Sequence, residues 1–294
     1  MDGKNVNRDA LAEERVREFL LEDLGYGDIT SDALIPPYQR AKARLYFKEP
    51  GVAAGLAEAS AVFTILGCEV KQRVQDGECV EANQTLLDIE GDAKKLLAGE
   101  RVSLNIVSHM AGIATATAEA VKRAREANPL IRVAATRKTL PGLRYMEKRA
   151  VELGGGDTHR LRLDDCVLIK DNHLELFPSI TEAIRKARAM ISFTKKIEVE
   201  VRDTKQAEEA ARAGADIIMF DNMKPSEIKE ALSLLHSKDL REGRFFEASG
   251  GITIEDVGEY AASGVDVISL GSLTHSIRAL DVKLEIRVAG VTSA

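Results

Sequence analysis

The chain has 294 residues and a net charge of −6, with an isoelectric point of about 5.6. That length suits one large α/β domain or two smaller ones, and the acidic balance argues against a general nucleic-acid binder, which carries a basic face. No apolar run is long enough to span a bilayer. The N-terminal MDGKNVNRDALAEE lacks the basic and apolar regions of a secretory leader, and the three cysteines, Cys68, Cys79 and Cys166, form no CxxC pair. A cytoplasmic protein without a disulfide framework or zinc site is expected.

RDALAEERVREFLLEDL has helical spacing, with Leu11, Val16, Phe19, Leu20 and Leu24 on roughly one face. GYGDITSDALIPP reads as a loop, punctuated by Gly25, Gly27, Pro36 and Pro37. ARLYFKE, EVKQRVQ and QTLLDIE read as strands, interrupted by the helical AEASAVFTIL, which makes a compact α+β unit. From about Asp92 to Asn128 the alanines and spaced aliphatics suit a buried helix or helix pair.

After Asn128-Pro129 short β-branched runs alternate with helical stretches: IRVAAT (131–136), CVLIK (166–170), KIEVEV (196–201), DIIMF (216–220), FFEAS (245–249) and VDVISL (265–270). Such alternation predicts parallel strands covered by helices. Each strand delivers polar or glycine residues to its C-terminal edge, where α/β barrels and open α/β sheets alike place ligand-binding groups. Even strand spacing and the lack of a GxGxxG fingerprint favour a barrel, smaller or less regular than the usual eight strands.

Ser249-Gly250-Gly251 and Gly271 follow the last two strands and precede helices. Glycine lets backbone N–H groups approach an anion closely, so a phosphate site is expected there; a plain tight turn is the alternative for either one alone. Arg137, Lys138, His159, Arg160, Arg162, Lys170 and His173 form a cationic set. For Arg137, Lys138 and Lys170 the strand-end position favours anion binding, whereas Arg162, Asp164 and His173 read as surface charges. His159, beside Arg160, either donates to an oxygen or caps a loop folding over the pocket mouth. Glu200 and Asp221 lie at adjacent strand ends, as general base, ribose acceptor or Mg²⁺ ligand, with charge balance as the plain alternative. Glu198 lies deeper on the same face and is expected to balance a lysine. Arg101, on the long helix, reads as a solvated residue.

Taken together, ATRKTLPGLRYMEKRAVELGGGDTHRLRLDDCVLIKDNH, with EDLGYGDITS, GERVSLN, IEVEV, FDN, EASGGI and GVDVISLGSLTHS in order, resembles the quinolinate phosphoribosyltransferase family over roughly Arg15 to Asp281. The resemblance implies an incomplete (β/α) barrel of about six to seven parallel strands over 115–274, beside an N-terminal α+β sandwich over 1–114 joined by the tail 275–294. It implies conversion of quinolinate and phosphoribosyl pyrophosphate into nicotinate mononucleotide, pyrophosphate and CO2 in NAD biosynthesis, with Mg²⁺ as cofactor. It implies a homodimer or higher assembly in which Arg101 reaches into the neighbour's site, against its bland reading. By the same resemblance Arg137, Lys138, His159, Arg160 and Lys170 bind the substrate's carboxylates and phosphates. Glu200 and Asp221 hold ribose hydroxyls directly or through Mg²⁺, and Ser249, Gly250, Gly251 and Gly271 cradle the 5′-phosphate. Lys138, Lys170, Glu200 and Asp221 are the expected catalytic set. Three other readings compete: transfer to nicotinate, whose single carboxylate would leave arginines unpaired; a Schiff-base aldolase on Lys170; and a non-catalytic phospho-ligand sensor.

Overall fold

The computed structural model describes residues 6–288; the side chain of Leu11 and residues 289–294 of the tail lie outside that description. The chain divides into two compact units, Met1–Thr115 with Arg278–Ala294, and Ala116–Ile277.

The first unit opens with α1 (Val6–Leu24) and α2 (Ile29–Leu34), then β1 (Arg40–Phe47), β2 (Gly51–Val52), α3 (Leu56–Ile65), β3 (Glu69–Gln72), β4 (Cys79–Val80) and β5 (Thr85–Asp92). Val16 and Leu20 of α1 are buried, as the helical spacing predicts. The GYGDITSDALIPP stretch, expected to be a loop, contains α2. Asp28 is its N-cap, with Oδ1 accepting from the Thr30 and Ser31 amides at 3.1 Å each, a contribution of about 1 kcal/mol. The flanking glycines and prolines mark the ends of this short helix rather than its absence.

A four-stranded antiparallel sheet runs C-terminal strand–β1–β5–β3. The C-terminal strand, Val282–Val288, pairs with β1 from Ala41↔Val288 to Phe47↔Val282. Its VKLEIRV alternates apolar and polar residues strictly, the period-two signal of a strand. Leu45, Phe47, Phe63, Leu87 and Leu96 fill the core beneath this sheet. The long helical region is one continuous helix, α4 (Ala93–Ala127).

The second unit contains β6 (Arg132–Ala135), α5 (Arg144–Leu153), β7 (Val167–Ile169), α6 (Asp171–Leu174), α7 (Ile180–Met190), β8 (Ile197–Val201), α8 (Thr204–Arg212), β9 (Ile217–Asp221), α9 (Pro225–Ser237), β10 (Phe245–Ser249), α10 (Val257–Ala262), β11 (Val267–Leu270) and α11 (Ser272–His275). Its sheet is wholly parallel in the order β6–β11–β10–β9–β8–β7. All six strands read from the sequence are present. Beyond β6 the sheet gains only a single bridge, Ala134↔Asp157, with the Asp157 amide donating to the Val133 carbonyl at 2.7 Å. An incomplete barrel of six strands plus this one-residue extension is the result.

Strand alternation sorts the side chains. Ile197, Val199, Val201, Ile218, Phe220, Phe246, Ala248, Ile268 and Leu270 pack under the helices, with Phe220 and Phe246 stacked at 6.2 Å between centroids. The other face carries Glu198, Glu200, Glu247, Ser249 and Ser269. A barrel interior is ordinarily filled by branched apolar residues; here it is charged, which makes it a place for chemistry.

Lys148 of α5 is buried and holds the edge of this sheet, its Nζ donating to the carbonyls of Ala135, at 2.9 Å, and Thr158. Burial above all, then nearby Arg144, lowers its pKa from 10.5 to about 8. Between those values the unfolded chain binds more protons than the folded one, so this group's contribution to stability rises with pH from about 8 to about 10.5. Relative to Lys148→Met, the wild type should gain up to about 3 kcal/mol between pH 7 and pH 10, read by urea unfolding. Parallel stability curves for the two proteins would contradict this.

Candidate active site

The C-terminal edge of the parallel sheet brings most of the expected residues together. Register places Asp221 opposite Ser249, and Ser249 opposite Ser269. Asn222 donates its amide to the Ser249 carbonyl at 2.9 Å. Gly250 follows at φ +95, and a Cβ there would lie 2.8 Å from the Asn222 nitrogen, so the turn requires glycine. Gly251 continues it. At Gly271 a Cβ would lie 3.1 Å from Lys138 Cδ, and Thr274 Oγ1 donates to the Lys138 carbonyl at 2.7 Å. Lys138 therefore lies along the Gly271 turn.

Lys170 follows β7, and its Nζ is hydrogen-bonded to Glu200 Oε1 on β8. Glu200 is thus already charge-balanced and oriented. His173, expected to be a surface charge, accepts the Lys170 amide on Nδ1 at 3.0 Å and so caps α6. Asp165 accepts the Leu161 and Arg162 amides, the latter at 2.9 Å, and organises the loop before β7.

Arg137, just past β6, differs from every other cation of the set. Its Nε is buried and has no hydrogen-bond partner. Burial, then the charges of Arg160 and Arg144, lower its pKa. It is a guanidinium among cations, held where an anion would be welcome.

The structure places His159 differently from the expected loop over the pocket mouth. Its ring points into the sheet interior, with Nε2 3.2 Å from Glu247 Oε2 and 3.5 Å from Glu198 Oε2. These carboxylates precede Glu200 and Ser249 by two residues, one layer deeper. Glu198, expected to balance a lysine, meets His159 and, at 3.9 Å, the Cys166 thiol. Lys196 shares the cavity wall with Glu198, but it is the imidazole of His159 that meets the carboxylate. Burial and then Glu247 raise the Glu198 pKa, against the pull of His159. Burial and then Glu198 likewise push the Cys166 thiol up to about 11, which makes it inert as a nucleophile. This layer floors a cavity of about 300 Å³ lined also by Arg132, Lys196 and Phe245 at the N-terminal strand ends.

Arg160 donates Nη1 to the Cys166 carbonyl at 3.4 Å. Arg101 is exposed on α4, in the first unit. The buried layer of His159, Glu198 and Glu247 is the part that motif reading does not find, although the alternation E-V-E in IEVEV points to it.

The pattern described as "Quinolinate phosphoribosyl transferase, C-terminal domain" matches residues 113–285, and that of the N-terminal domain matches 28–111. The chain belongs to the quinolinate phosphoribosyltransferase family. A probable carboxylating nicotinate-nucleotide pyrophosphorylase of Methanocaldococcus jannaschii is 47% identical over 274 residues, 92% of this chain and 95% of that one. The human nicotinate-nucleotide pyrophosphorylase is 39% identical over 254 residues, 86% of this chain and 85% of its own length. The crystal structure of NadC from Streptococcus pyogenes matches with a TM-score of 0.87 at 37% identity, covering 94% of this chain and 96% of that one. Like its family, the chain is a phosphoribosyltransferase with a barrel-like parallel sheet and an antiparallel α+β unit. Among the described residues no helix is long and apolar enough to cross a membrane.

Proposed function

We propose that this chain transfers the phosphoribosyl group of phosphoribosyl pyrophosphate to quinolinate and decarboxylates the adduct, giving nicotinate mononucleotide, pyrophosphate and CO2. The observation that carries the reading is Arg137, a partly buried guanidinium with an unpartnered Nε. Arg137, Lys138, Arg160 and Lys170 supply the fixed cations for the carboxylates and the diphosphate. His159 enters the set through Arg160. Ser249, Gly250, Gly251 and Gly271 offer their backbone amides to the 5′-phosphate.

In this reading the pyridine nitrogen attacks the sugar C1 as the C1–O bond to pyrophosphate breaks. No protein nucleophile is needed, in keeping with a site whose one nearby thiol is inert. Breaking the bond from C2 to the carboxylate then releases CO2 and leaves the electron pair on C2 as a carbanion. The positive charge of the adjacent quaternised nitrogen stabilises it until a proton adds at C2. Positioning and exclusion of water are the protein's part.

Glu200 and Asp221 suit Mg²⁺ as hard oxygen donors on adjacent strands. Glu200 is committed to Lys170, and a pair of carboxylates matches an ion that takes its remaining ligands from substrate oxygens and water. Mg²⁺, when bound, would neutralise charge on the departing pyrophosphate. Lys170 is paired with a carboxylate rather than desolvated, which argues against a Schiff-base aldolase.

Two domains, 1–114 with 275–294 and 115–274, complete the reading, with Arg101 of one copy serving the site of another. The test is turnover of quinolinate and phosphoribosyl pyrophosphate with Mg²⁺ by wild type, Arg101→Ala and Arg137→Ala. Wild type is expected to release CO2, and each variant alone to be nearly inactive. Mixing the variants should restore part of the rate, since one site in a mixed assembly keeps both arginines. A wild type without product sinks the activity; variants that fail to complement sink the shared site.

A further inference from the structure

We propose that His159 is a positioning residue rather than a substrate ligand: clamped between Glu247 and the Arg160 amide, it fixes the backbone from which the Arg160 guanidinium meets a substrate anion. This rests on the phosphoribosyltransferase reading above.

Both ring nitrogens are already committed. The Arg160 amide donates to Nδ1 at 2.8 Å, while Nε2 faces Glu247 Oε2 and Glu198 Oε2. Glu247 is held in turn by the Ser269 hydroxyl on its other oxygen. No nitrogen is left for a ligand. Burial works against a second proton on the ring, and the two glutamates, taken by themselves, outweigh it and push His159 up to about 10. The Arg160 amide opposes them, because a protonated Nδ1 would set N–H against N–H at hydrogen-bond distance. That contact leaves one proton on the ring, at Nε2, donated to Glu247. It also counts against a metal among His159, Glu198 and Glu247, which lie close enough to ligate one, since a metal needs the Nε2 lone pair.

The surrounding backbone is set with equal care. His159 adopts φ +51, in the left-handed region, at a cost of order 1 kcal/mol for a residue with a side chain. Its amide donates to Asp157 Oδ1 at 2.8 Å. Asp157 is bound to β6 through both its amide and its carbonyl, and Lys148 grips the Thr158 carbonyl. Residues 157–160 are thereby fixed, while the Arg160 guanidinium donates to the Cys166 carbonyl at 3.4 Å and lines the cavity beside Glu198 and Glu247.

The test compares Glu247→Leu, Glu247→Gln and Arg160→Ala, alone and as Glu247→Leu/Arg160→Ala. Glu247→Leu should raise KM for quinolinate roughly tenfold or more, with KM for phosphoribosyl pyrophosphate little changed. Glu247→Gln keeps an acceptor for Nε2–H and should restore most of the affinity. Adding Glu247→Leu to Arg160→Ala should cost nothing further, because the two act as one unit. Equal rises in both KM values, or additive losses, would overturn the proposal. Should Glu247→Leu not fold, ¹⁵N NMR of the wild-type ring decides: an unprotonated Nδ1 at neutral pH supports the clamp, and a protonated one overturns it. Wild type without turnover would defeat the activity, whereas the NMR measurement still reads the clamp.

Discussion

Arg137→Ala should lower kcat/KM for quinolinate on the order of 10²–10³-fold, the scale of losing one preorganised charge-stabilising donor, while leaving the protein as stable as before or more so. The opposite signs follow from the same environment. Arg137 has a buried, unpartnered Nε, and burial together with Arg160 and Arg144 lowers its pKa. A cation in that position costs the empty fold free energy. An anionic substrate reverses the balance, because the desolvated guanidinium then gains a partner that needs no further reorganisation. Initial rates and thermal unfolding on the same preparation check both halves. A variant retaining more than a tenth of wild-type kcat/KM, or melting well below wild type, would mean that Arg137 serves the fold instead.

The six parallel strands were legible because each is a short apolar run ending in polar or glycine residues, and IEVEV announced its face by period-two glutamates. The sheet edge was legible for the same reason: a strand end fixes where Lys170, Asp221 and Ser249 emerge. What the sequence hid depends on contacts between distant residues. VKLEIRV alternates as a strand does, but its pairing with Arg40–Phe47, at the other end of the chain, is no local signal. His159 and Glu247 are 88 positions apart, and no local pattern states that an imidazole will enter the interior. Lys148 lies in a charged helical stretch, and nothing local in it states that the side chain is buried against two carbonyls. The short helix after Asp28 was masked by glycines and prolines that serve as its boundaries.

Gly250→Ala should both weaken binding of phosphoribosyl pyrophosphate and destabilise the fold. Gly250 sits at φ +95, where a side chain is strained whatever the space around it, a cost of order 1–3 kcal/mol. Space is lacking as well, since the new methyl would lie 2.5 Å from Asn222 Oδ1 and 2.8 Å from the Asn222 amide nitrogen. Asn222 is itself left-handed, at φ +56, and its amide is bound to the Ser249 carbonyl. The side-chain oxygen can swing away, but the amide cannot move without pulling β9 from β10 at the site edge. Relief must come from the 249–251 turn, whose amides are the ones offered to the phosphate. KM for phosphoribosyl pyrophosphate should therefore rise about tenfold or more, the scale of one lost charge-assisted contact, with KM for quinolinate much less affected. Steady-state kinetics in both substrates separate the two. Should both KM values stay within twofold of wild type, the phosphate is not held at this turn. Should they rise together, the damage has spread through the sheet, and Gly250 acts by shaping the fold alone.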